Sequence, residues 1–129
     1  MKTADRSIAV LLVVACLLHT YGSLVYYRNV PITLVWSLSG SLAGLLVAAV
    51  NFLRVGRPGD HPLAWISLVG SLGWFAVAFA IGKVTGHVLD FRPLTHMILA
   101  AALVAMSIRT LVTAHRADVR GGKDSAGPI

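Results

Sequence analysis

Four runs of about twenty apolar residues, parted only by short polar breaks, restrict this chain more than any other feature. They cover 7–27, 32–53, 63–82 and 94–113, which is 21, 22, 20 and 20 residues. A helix rises about 1.5 Å per residue and the hydrocarbon core of a bilayer is about 30 Å thick, so each run is long enough to span it. Lipid offers backbone N–H and C=O groups no partners, so each run must be helical. The breaks carry helix-ending residues: Pro31, then Gly56, Pro58, Gly59 and Pro62, then Gly86 and Pro93. Connections this short make successive helices antiparallel. The expected fold is an all-α integral membrane protein, an antiparallel bundle of four transmembrane helices filling 1–114. The polar stretch 115–129 reads as a short disordered tail.

Composition agrees. The chain is 57% apolar and 12% charged, against roughly 25% charged in ordinary soluble domains. Its net charge of +6 does not indicate nucleic-acid binding, because the basic residues sit in loops and tails, not on one face. With the N-terminus in the cytoplasm, the inner side holds Lys2, Arg6, Arg54, Arg57, Arg109, Arg116, Arg120 and Lys123, and the outer side only Arg28, Lys83 and Arg92. Eight against three places both termini in the cytoplasm and the chain in the plasma (inner) membrane. Tyr26, Tyr27, Trp36 and Trp65 stand near span ends, where an aromatic ring meets both lipid and water. Val13-Val14-Ala15-Cys16 resembles a lipobox. However, the residues that follow stay apolar to Val25 apart from the stretch His19 to Ser23, so the segment reads as a helix. Cys16, the one cysteine, reads as a small buried apolar residue. Ser37 to Leu42 echoes Ser67 to Leu72, a similarity cheap by chance among small and apolar residues.

Small residues mark packing faces. Ser37, Gly40, Ser41, Gly44 and Ala48 recur at spacings of three and four on the second span, with Gly40 and Gly44 forming a GxxxG pair. The third span has Ser67, Gly70, Ser71 and Ala78, and the fourth Met97, Ala101 and Ala105. These faces pack the helices together or seat a second copy.

Polar residues inside a membrane are functional suspects. Three histidines fall in the outer half: His19, His96 and the loop residue His87, with Asp90 and Arg92 beside them. His19 and His96 are candidate ligands of haem b or contacts of a quinone. Counted from the span ends, His96 lies about 3 Å deep and His19 about 12 Å, a mismatch that argues against a shared iron. Asn51 reads as a hydrogen-bonding partner for a neighbouring helix, and Arg109 as an anchor that snorkels to the inner surface. No Asp or Glu falls within the four runs, and no Ser–His–Asp or Cys–His arrangement is spaced for catalysis. The expected role is therefore an accessory or scaffold subunit packed against itself or a larger membrane complex. A haem- or quinone-binding redox anchor is one alternative. A small oligomeric transporter or channel, lined by Ser37, Ser41 and Asn51, is another.

Overall fold

A computed structural model describes residues 2–125, with side chains as far as residue 116. The chain forms four helices and no strand among these residues: α1 Lys2–Tyr26, α2 Pro31–Gly56, α3 His61–Thr85 and α4 Phe91–Ser125. All four are long and apolar enough to cross a membrane. The expected spans fall within them, apart from Tyr27, which follows α1. Helical backbone continues past Thr113 to Ser125. Of the expected polar tail, residues 126–129 and all side chains from 117 onward lie outside those described.

The sequence ends each helix by identifiable means. Pro31 opens α2, where its missing N–H is no loss. Asp60 caps α3, its side chain accepting from Leu63 N–H at 2.9 Å, with Pro62 in the first turn. Gly86, at φ +75°, closes α3. The N–H of His87 reaches Gly82 C=O at 2.9 Å and that of Gly86 reaches Lys83 C=O at 3.2 Å, the paired bonds of a Schellman cap.

Each helix packs on its neighbour in the chain, and α4 returns to α1. The inward residues follow one rule. On α1 they are Asp5, Ala9, Leu12, Cys16 and Ser23, with His19 at the same spacing but exposed; on α2 Ser37, Ser41, Gly44, Ala48, Asn51 and Val55; on α4 His96, Ala100, Leu103, Ser107 and Thr110. Alternating steps of three and four keep these positions on one seam, as in a coiled coil. Apart from Leu12, Val55 and Leu103, the seam is made of small and polar side chains. Large apolar ones point outward, among them Leu18, Ile32, Trp36, Val69 and Ile98. A soluble bundle reverses this, but lipid is as apolar as leucine and gives no hydrophobic drive between helices. Association then depends on close approach and on hydrogen bonds.

Gly44 is where the approach is closest. A Cβ there would lie 2.5 Å from Cys16 Sγ and 2.8 Å from Trp74 Cζ2, so helices α1 and α3 both press on this one position of α2. Gly40, the other half of the GxxxG pair, has nothing within 4 Å of such an atom. Gly70 would make an ordinary contact at 3.7 Å with Val47. Gly44→Ala should therefore lower stability by about 1–3 kcal/mol, the usual range for overpacking. Gly40→Ala should stay within about 0.5 kcal/mol of the parent. Thermal unfolding of both variants in detergent checks the pair.

Candidate functional site

The interior carries a polar group at each end, separated by an apolar layer of Ala9, Leu12, Ala48, Ala100 and Leu103. The first is organised by Arg54, and here the sequence reading needs correction. Arg54 was expected as a loop residue marking topology. It lies in the last turns of α2 with only 1% of its surface exposed. A lone guanidinium would not stay there, since an unpaired buried charge is far too costly. Asp5 makes it possible. Its carboxylate, also absent from the spans as first drawn, sits in the first turn of α1 and receives Arg54 Nη2 at 2.6 Å.

The remaining donors of Arg54 meet other helices. Nη1 donates to Thr110 Oγ1 at 2.7 Å and to Met106 C=O at 3.3 Å, both on α4. Nη2 also reaches Asn51 Oδ1 at 3.4 Å. Asn51 Nδ2 donates in turn to Ser71 Oγ on α3 at 3.0 Å, and Ser107 Oγ on α4 lies 3.5 Å from Asn51 Oδ1. The network thus joins all four helices. The fifth donor of Arg54, Nε–H, is buried and has no partner among the described residues. Beside the network is a partly open cavity of about 150 Å³, lined by Lys2, Asp5, Arg54, Arg109 and Thr110 among others.

The second group joins the opposite ends of the helices. The rings of His19 and His96 stand edge to face, 6.2 Å between centroids, and Trp74 meets His96 in the same manner at 5.6 Å. Ser37 Oγ lies 3.5 Å from His19 Nε2. The two rings are therefore neighbours, although counting from the span ends sets them at different depths. Trp74, which the sequence reading passed over, fills the space that Gly44 leaves. Trp74 Nε1 and His96 Nδ1 are both buried without a partner among the described residues.

His87, Asp90 and Arg92 are exposed and form a turn, not a pocket. Asp90 Oδ1 accepts from Arg92 N–H at 3.0 Å, and Asp90 N–H donates to His87 C=O at 3.0 Å. Among the described residues, no three His, Cys, Asp or Glu side chains converge as a metal site would require. Ser37 and Ser41 lie on the inward seam of α2, where Ser41 Oγ donates to Ser37 C=O at 3.3 Å. Many hydroxyls bond the carbonyl four residues back in this way, including Thr20, Ser23, Ser107 and Thr110. Such bonds satisfy a hydroxyl without water.

Compared with protein-family models, with curated proteins and with solved structures, the chain matches none.

The signal that would have found the Arg54 group was present in α1. Asp5, Ala9, Leu12, Cys16, His19 and Ser23 keep the seam spacing from end to end, and only the first lies outside the apolar run. Removing either member of the Arg54–Asp5 pair strands the other. Asp5→Ala should lower stability by about 3–5 kcal/mol, the range for breaking a buried pair. The double replacement Asp5→Leu with Arg54→Met should recover most of that loss. Comparison of the unfolding midpoints of both variants with the parent tests this, and a double variant no better than Asp5→Ala would refute it.

Proposed function

We propose that this chain is a multi-pass protein of the plasma membrane, its four helices antiparallel and both termini cytoplasmic, acting as an accessory or scaffold subunit. The loop charges support the topology. The observation that carries the role is how the interior polar groups are used. Four of the five N–H donors of Arg54, and both ends of the Asn51 amide, are engaged in holding helix to helix. The layer beyond them is apolar. Polar groups used in this way fix a shape and leave no continuous wet path between the two ends. Outside, Ala101 and Ala105 on α4 and Gly73, Ala76 and Ala80 on α3 are exposed at helical spacing. Small residues on an outer face let a further helix approach closely. The partner is a second copy or a larger membrane complex.

One observation favours a second reading, a redox anchor. His19 and His96 lie side by side, and His96 Nδ1 and Trp74 Nε1 keep unused hydrogen-bonding capacity suited to a quinone carbonyl. Imidazole also suits haem iron. A reduced-minus-oxidised spectrum of gently purified protein separates the two: a b-type band lost in His96→Ala would replace the scaffold reading.

Two outcomes are expected. In intact cells a membrane-impermeant maleimide should label Lys83→Cys and not Thr3→Cys. In mild detergent the parent should run as an oligomer or within a larger complex, and Ala101→Leu with Ala105→Leu should release it. A parent that is monomeric and alone catalyses solute flux or electron transfer would overturn the scaffold role.

A further inference from the structure

The end of the bundle where α1 begins and α2 stops presents exposed cations on its surface. Lys2 and Arg6 stand in the first two turns of α1, and Arg57 follows the last residue of α2. Few carboxylates oppose them. Asp5 is matched by Arg54 at 2.6 Å, and Asp60 is held at the start of α3 as its cap. Further along the chain, Asp118 and Asp124 are offset in the sequence by Arg120 and Lys123. Lys2, Arg6 and Arg57 therefore face Asp60 alone, and the surface carries positive charge in excess. A second observation concerns what lies beside these cations. Val10 is one turn from Arg6 on the same face of α1, and Leu53 is four residues before Arg57; both are exposed. The Arg6 guanidinium rests over the exposed ring of Phe52, 5.9 Å from its centroid. Charge from α1 thus meets an apolar ring of α2 on one outer surface.

We propose that this surface binds anionic phospholipid, its phosphate held by Lys2, Arg6 and Arg57 and its acyl chains lying against Val10, Phe52 and Leu53. The partner has to be anionic at one end and hydrocarbon at the other. A zwitterionic lipid leaves the charge excess unmatched, and a soluble polyanion leaves the apolar side chains uncovered. Guanidinium groups suit phosphate oxygens because their planar fork donates two parallel bonds. The inference rests on the membrane-spanning reading of the helices and on neither their orientation nor the scaffold role, whose failure would show in the oligomeric state and not in lipid preference.

The test is quenching of an indole by brominated acyl chains, with the full chain in phosphatidylcholine vesicles. Dibrominated phosphatidylglycerol or dibrominated phosphatidylcholine replaces the unbrominated lipid in rising proportion, in both leaflets. Phe52→Trp puts the reporter in the surface. Trp36→Phe and Trp65→Phe remove the two exposed indoles, and buried Trp74 stays as a constant background. Half of the full quenching should need a roughly fivefold lower proportion of phosphatidylglycerol than of phosphatidylcholine, the worth of one basic residue near an anionic surface. Arg6→Gln with Arg57→Gln should erase that preference. Arg28→Gln with Lys83→Gln, which removes the same charge at the opposite end, should keep it. In about 1 M salt, where charges are screened beyond about 3 Å, the preference should collapse with no cation replaced, so the answer does not depend on the folding of any Arg variant. Equal quenching by the two lipids would overturn the proposal. So would a preference that survives high salt or the loss of Arg6 and Arg57, or one that falls as far with Arg28 and Lys83.

Discussion

A guanidinium buried among four helices needs acceptors, and the fold of this chain is arranged to engage four of its five N–H donors. Arg54 takes a carboxylate from α1, a hydroxyl and a carbonyl from α4, and through Asn51 reaches the hydroxyl of Ser71 on α3. Each bond is directional. A rotation of α1 or α4 about its axis would take an acceptor from Arg54 and leave a charged donor in an apolar medium, and a rotation of α3 would take Ser71 from the Asn51 amide. The network therefore fixes the rotational setting of all four helices at once, which dispersion between small side chains cannot do alone. Whether a buried pair adds net stability over an apolar substitute is a separate matter, since desolvating two charges offsets much of their attraction. Its contribution is to specify one arrangement.

At the other end a different device operates. Gly44 yields its volume to Cys16 and Trp74, and Trp74 in turn holds the ring of His96. Steric fit, rather than charge, sets the helices here, and the rings of His19 and His96 become neighbours as a result. Between the two devices lie Leu12, Ala48, Ala100 and Leu103, a layer with no polar group to misplace. Polar order at both ends and an apolar centre suit a membrane protein, because water penetrates least at mid-span.

The residues differ in how far their roles were legible. Asn51 lies inside an apolar run, and a polar amide there must find a partner on another helix. Gly40 and Gly44 formed a recognisable pair, yet only Gly44 makes a close approach, because which of two glycines faces the neighbour depends on helix rotation. Ala101 and Ala105 look like a packing face and lie outside the bundle. Arg54 was misjudged for a plain reason: next to Gly56, Pro58 and Gly59 it resembled a loop cation. Burial of its side chain depends on Asp5, forty-nine positions away in sequence.

By itself the sequence determined that there are four membrane-length helices and where they break, because backbone hydrogen bonding in lipid admits no other structure for runs of that length. Loop charge gave it an expected orientation as well. The tertiary structure alone decided which face of each helix turns inward, that Arg54 and Asp5 form a pair, and that His19 and His96 touch. Those outcomes follow from helix rotation and tilt, and rotation is set by contacts between residues far apart in the chain. Periodicity confines such residues to a stripe, but it leaves open which stripe on one helix meets which on the next.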